Sequence, residues 1–286
     1  MYGSSEPDDT ELLWRRRLEK PHTSSSLPDA FLSALVAELD TDAVTALVLV
    51  GSHARGDATP YSDVDVIRLV REEPERAQQK LYTYRDGRLL GIVTRTLAHY
   101  RAGFTVPERA IFEVPSIREA QILVDKDGAF RVLQQEARAF VWEPLQAAAN
   151  AYASTVMMEY TEYVQKILRA LLLGDELALS EMILDLLAAV TFAVDVQRGI
   201  LAASGNSYFR QVYESVGLDA AWTRYHRFIA GIESGAMGRA TTQAKGIAAL
   251  RLYWETVQLL RPAFHPLHRD VVEQTALLIE RVLSDA

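Results

Sequence analysis

The residues with the most chemical content lie in one stretch: Gly51-Ser52-His53-Ala54-Arg55-Gly56-Asp57-Ala58-Thr59-Pro60-Tyr61-Ser62-Asp63-Val64-Asp65. A Gly-Ser turn lacks a Cβ at its first residue, so backbone N–H groups can come close to an anion. Arg55 adds a planar cationic fork that suits phosphate oxygens. Asp63 and Asp65 stand at i and i+2 of an extended segment and therefore share a face. Two carboxylates that close repel unless a cation lies between them, and hard oxygen donors of this kind select a divalent ion such as Mg²⁺. A phosphate cradle beside a carboxylate pair is the equipment that phosphoryl and nucleotidyl transfer use. Taken singly, GS and DxD are common as turns and solvated strand ends. Their succession along one strand–loop–strand segment is what carries information.

Such a segment needs a sheet to hold it. Phe31, Leu32, Leu35, Val36 and Leu39 recur at helical spacing after Pro28-Asp29, and the β-branched run Val44 to Val50 reads as a buried strand ending at Gly51. A second strand is expected over Asp63 to Val70 and a helix over Glu73 to Tyr82. Further strands are expected over Leu89 to Leu97, after the turn Asp86-Gly87, and over Ala120 to Val124. The segment Asp125 to Gly128, DKDG, reads as a turn, since it lacks the later ligands of a calcium loop. A short helix is also expected around Glu11 to Glu19.

From about residue 129 the pattern is almost wholly helical and rich in Ala and Leu, with breaks at Pro144, Gly174, Gly205, Gly217, Gly235 and Pro262. The expected architecture is α+β. An extension over 1–27 and a mixed-sheet domain over 28–129 precede an all-helical bundle over 130–286.

Composition narrows the function classes. The chain has 286 residues, 49% hydrophobic and 24% charged, with no cysteine and a formal net charge of −8. That balance belongs to a globular protein and excludes thiolate metal sites and a Cys nucleophile. The acidity argues against nucleic acid and anionic membranes as partners. The N-terminus has no apolar signal-like core, and the apolar stretch Leu186 to Val194 is too short to span a bilayer, so a cytoplasmic location is expected. Lys is scarce, five of the thirty basic residues. His265 and His268 read as loop or helix-start residues. Tyr208, Tyr213, Trp222, Tyr225 and Phe228 read as core packing. Arg198, three residues after Asp195 in an apolar helix, reads as a buried pair, a stability feature or an active-site wall.

The stretch from Gly51 to Asp65 resembles the GSxARG…SDxD signature of the polymerase-β-like nucleotidyltransferase superfamily. Together with IFEVPSIREAQILVDKDGAFRVLQQEARAF and the helix containing EYTEYVQK, it is similar to kanamycin nucleotidyltransferase-type aminoglycoside-modifying enzymes. The resemblance implies transfer of a nucleoside monophosphate from an NTP to a hydroxyl of a small acceptor. Gly51, Ser52 and Arg55 would hold the nucleotide, and Asp63 and Asp65 would bind Mg²⁺. Glu162 would act as general base and Lys166, one turn on, would contact phosphate. On residue chemistry alone, Glu162 and Lys166 also read as an exposed i,i+4 ion pair. The resemblance implies a homodimer as well. The superfamily has a third carboxylate on a later strand, where this chain has Gly91, with neither Asp nor Glu from Arg88 to Ala98. Glu113 and Asp86 are the candidate replacements. The alternatives are a nucleotide-binding relative with little turnover and an enzyme that nucleotidylates a protein.

Overall fold

The segment Val44–Val50, VTALVLV, buries every side chain, as a strand flanked on both sides must. In the computed structural model the described residues are 25–202, 204–232 and 241–284. The helix expected at Glu11 to Glu19 and the break at Gly235 lie outside them.

The chain divides into two compact units, residues 1–102 with 113–140, and residues 103–112 with 141–286. The division falls later than the change in sequence character near residue 129. It also assigns a short earlier segment to the second unit.

In the first unit, α1 (Asp29–Leu39) leads into β1 (Val44–Val50), the single-turn helix α2 (Gly51–Arg55) and β2 (Val64–Val70). The hairpin β3 (Lys80–Arg85) and β4 (Arg88–Arg95) follows, and then α3 (Leu97–Gly103), the second half of α4 (Pro107–Arg118), whose first half belongs to the second unit, β5 (Gln121–Asp125) and α5 (Ala129–Arg138). The strands form one mixed sheet in the order β3-β4-β2-β1-β5. Among the described residues, only β2 and β4 run parallel. Phe31, Leu35 and Leu39 of α1 pack on Leu47, Leu49, Val64, Val66, Leu90 and Ile92, all on one sheet face. Strand alternation puts Val50, Asp65 and Gly91 on the other face. The DKDG segment is a helix start. Asp125 accepts from the N–H groups of Phe130 and Arg131, and Asp127 accepts from that of Ala129.

One expected element is wrong. Glu73 to Tyr82 is not a helix: it contains one 3₁₀ turn, Arg76–Gln78, and then the start of β3. As an edge strand with every residue but Arg85 exposed, β3 lacks the apolar alternation that marks a half-buried strand, and its charged lead-in reads as helix.

The second unit holds α6 (Gln146–Glu159), α7 (Thr161–Leu173), α8 (Glu176–Arg198), α9 (Tyr208–Val216), α10 (Ala221–Ile229), α11 (Thr242–Leu260) and α12 (Pro266–Ser284). At 23 residues α8 is long and apolar enough to cross a membrane. It is also the helix against which α6, α7 and α11 pack, and Leu186, Val190, Ala193 and Val194 on it are fully buried. Around it lies a core that includes Trp222, Phe228, Tyr253 and Ile279. His226 is buried among them. Thr191 Oγ1 donates to the Leu187 carbonyl at 2.6 Å, so the 2.8 Å contact with His226 Nε2 has the ring as donor. Nδ1 then accepts from the Tyr213 hydroxyl at 2.8 Å. Burial lowers the imidazole pKa to about 4, so the ring is neutral in that network.

His265 and His268 serve the start of α12. The His265 N–H donates to Ser154 Oγ at 2.8 Å, and that oxygen also meets His268 Nδ1 at 3.1 Å.

Candidate functional site

Each site residue of the first unit is placed by backbone constraint before side-chain chemistry enters. Gly51 sits at φ +70°, a conformation that glycine adopts without penalty, and turns the chain from β1 into α2. α2 is closed at once by Gly56, whose N–H donates to the Ser52 carbonyl at 2.9 Å. The loop beyond is fixed by Thr59 and Ser62: the Thr59 N–H donates to Ser62 Oγ at 2.8 Å, and the Ser62 N–H to the Thr59 carbonyl at 3.0 Å. This delivers Asp63 immediately before β2 and Asp65 on its second residue.

Asp65 is the centre of the arrangement. It pairs in register with Val50 on one side and Gly91 on the other. A Cβ added at Gly51 would lie 2.9 Å from Asp65 Oδ2, and one added at Gly91 would lie 2.9 Å from Oδ1. The carboxylate is therefore seated between two bare Cα positions, and both glycines make its room. Burial, then the neighbouring Asp63, raises its pKa from 3.8 to about 6; Lys80 and Arg55 oppose the rise. Arg55 also pairs with Asp57 at 3.3 Å and approaches Glu119 at 3.9 Å.

The position expected to hold a third carboxylate has tight surroundings. Tyr82 pairs with Gly91 across the hairpin, and its ring would meet a Gly91 Cβ at 3.1 Å. Neither candidate replacement joins the pair. Asp86 lies at the hairpin tip, five residues beyond the Asp65–Gly91 row, and Glu113 faces His99 at 3.9 Å. Among the described residues, no group of three or more His, Cys, Asp or Glu gathers as a metal site.

Sequence reasoning missed Lys80 and Tyr82, which sit on the misread strand β3. The pairing of β3 with β4 puts both on the Asp65 face. The Lys80 ammonium lies 5.0 Å from the Tyr82 ring centroid. A hydrogen bond to Tyr82 raises its pKa, and Asp65 and Asp63 add to the rise. The scarcity of Lys was the available signal.

Glu162 and Lys166 belong to the second unit. They form an i,i+4 ion pair at 3.0 Å on α7, both exposed, with the Lys166 ammonium 4.7 Å from the Tyr163 ring centroid. Arg198 does not pair with Asp195. Its guanidinium donates to the Ser215 carbonyl and, at 3.2 Å, to Ser215 Oγ. Trp222, Tyr213 and Phe228 are core residues as expected, and Tyr208 and Tyr225 pack against that core; Tyr208 also lines a cavity.

Parts of the chain are similar to known proteins. A 47-residue stretch is 51% identical to the bifunctional uridylyltransferase/uridylyl-removing enzyme of Cupriavidus pinatubonensis, covering 16% of this chain and 5% of that enzyme. Among solved structures, a nucleotidyltransferase-like protein from Exiguobacterium sibiricum aligns over 80% of this chain and 73% of that one, with 12% identity and a TM-score of 0.45. Residues 32–117 match the nucleotidyltransferase domain family. The Gly-Ser turn, Asp63, Asp65 and Gly91 all lie inside that matched segment.

Proposed function

We propose that this chain transfers a nucleoside monophosphate from an NTP to a hydroxyl group of a small acceptor. The observation that carries the reading is Asp65, seated between Gly51 and Gly91 with Asp63 beside it, inside the segment that matches nucleotidyltransferase domains. The donor set fits Mg²⁺, which binds through one or two protein carboxylates and completes its octahedron with phosphate and water oxygens. When bound, Mg²⁺ neutralises charge on the triphosphate and orients the α-phosphorus. Asp63 and Asp65 would hold it, and a cation there would favour the ionised form of Asp65.

Gly51 and Ser52 would approach the phosphates through their backbone N–H groups, and Arg55 would supply a positive fork. In the transfer, the acceptor oxygen bonds to the α-phosphorus and pyrophosphate leaves. Glu162 would take the hydroxyl proton and Lys166 would offset charge on the phosphate, once their mutual ion pair opens. The acidic balance of the chain suits a cationic acceptor of aminoglycoside type. The resemblance further supports a homodimer.

Gly91, standing where a third carboxylate is expected, favours a second reading, a protein that binds nucleotide and Mg²⁺ with little turnover. A pyrophosphate-release assay with each NTP, with Mg²⁺ and a panel of hydroxyl-bearing amines, separates the two. Transfer predicts acceptor-dependent release that Asp63→Ala abolishes. Full release by Asp63→Ala refutes the metal assignment. Thermal stabilisation by NTP·Mg²⁺ without release supports the second reading, and radiolabel from NTP appearing on protein rather than on a small molecule points to protein nucleotidylation.

A further inference from the structure

We propose that the helical unit contains a binding pocket for an organic cation with an aromatic or alicyclic body. A cavity of about 720 Å³ opens between α6 and α8 and is flanked by Tyr208 and Phe209 of α9 and by Phe112. That volume lies in the range of small-molecule sites. Its floor is a stripe of α8, Ala188, Thr191 and Phe192, and the two alanines at 188 and 189 leave the space. Its wall is a stripe of α6 at matching spacing, Tyr152, Val156 and Glu159.

The rings are arranged as a cage. Phe112 stacks parallel to Phe192 at a centroid distance of 6.1 Å, and Tyr152 meets Phe192 edge-on at 5.7 Å. Such faces attract cations through their quadrupoles. Among the described residues, no Lys, Arg or His lines the cavity, and its one charged lining residue is Glu159.

Asp195 supplies the second, independent observation. It lies at i+3 and i+4 from Phe192 and Thr191, so it continues the floor stripe by one turn, and helical side chains lean back toward the preceding turn. Its side chain is fully buried, and the donor beside its carboxyl group is the hydroxyl of Tyr208, a residue that lines the cavity. Burial holds the carboxyl pKa up at about 7, with Tyr208 the opposing neighbour. Burying an acid with a single neutral donor costs stability. A cation seated against the rings would favour the ionised form through its charge. The inference is independent of nucleotidyl transfer, because it concerns binding alone and stands or falls without nucleotide.

The test is calorimetric titration of the full chain, without NTP, using three isosteric probes: 4-phenylbutylamine, 4-phenylbutanol and 4-phenylbutyrate. The amine is expected to bind at least tenfold more tightly than the alcohol, with the carboxylate weakest. Glu159→Gln, at an exposed position that the fold does not need, and Asp195→Asn should each weaken the amine several-fold and leave the alcohol unchanged. Ala188→Trp, also at an exposed position, should abolish binding of the amine. Equal affinities for the three probes, preference for the anion, no binding at millimolar concentration, or amine binding that survives Ala188→Trp overturns the proposal.

Discussion

Replacing Asp65 with Asn should make the metal-free protein more stable and the site useless. The half-buried carboxyl is raised by burial and by Asp63 from 3.8 to about 6. The unfolded chain releases this proton near 3.8 and the folded chain near 6, so the folded state holds more protons in that window and stability falls as pH rises through it. At about 1.36 kcal/mol per pH unit, the whole difference is worth about 3 kcal/mol. Asp65 is not fully enclosed, and solvent screening reduces that to about 1–2 kcal/mol. Asparagine keeps the shape between Gly51 and Gly91 and carries no charge to desolvate. Urea unfolding in EDTA should therefore show Asp65→Asn more stable by about 1–2 kcal/mol near pH 7.5, with the gain gone near pH 4. Adding Mg²⁺ with a non-hydrolysable NTP should stabilise the wild type and leave the variant unchanged. A variant less stable than wild type near pH 7.5, or a gap of equal size at both pH values, would refute the reasoning.

Other outcomes follow from the same structure. Asp195→Asn should also stabilise the protein at pH 8, by a margin that shrinks as pH falls from about 7 toward 3.8, read from thermal midpoints. His226 takes up its proton near 6.5 when unfolded and about 4 when folded, so stability should drop as pH falls through that interval; His226→Gln should flatten the drop. Gly91→Asp should not raise pyrophosphate release and should cost about 1–3 kcal/mol without divalent cations, because its Cβ would press Asp65 Oδ1 at 2.9 Å and its charge adds to the Asp63–Asp65 pair. Gly199→Ala should cost about 2 kcal/mol or more in chemical denaturation, since Gly199 sits at φ +62° and the new Cβ would fall 2.4 Å from the Trp142 ring.

The strongest local signals were the easiest to read from sequence. β1 is an apolar run, and the Gly-Ser turn and the Asp63–Asp65 spacing are contiguous, so their chemistry is visible before any fold is known. β3 was hidden because an edge strand in water has no buried face to write an alternating pattern, and Lys80 and Tyr82 were hidden with it. Gly91 could be seen as the absence of a carboxylate. That its bare Cα makes room for Asp65, beneath Tyr82, depends on pairing across two neighbouring strands. The cavity of the helical unit is built from four segments between Phe112 and Phe209, and no spacing rule links them. Asp195 stood out only through Arg198, which turns instead to Ser215.

The all-but-bare edge at β3 has a colloidal consequence. A strand with one unpaired side is a template for a neighbouring chain, and Leu81, Tyr82 and Tyr84 are exposed along it. The charges at its two ends, Lys80 and Arg85, are what discourage a second copy from docking there, and Arg85 is itself anchored to Glu38 of α1. Lys80 thus has two duties on one side chain, facing the carboxylates and guarding the sheet from self-association. An apolar substitution there would leave a β-prone stretch without its gatekeeper, and light scattering should register the loss alongside any change in chemistry.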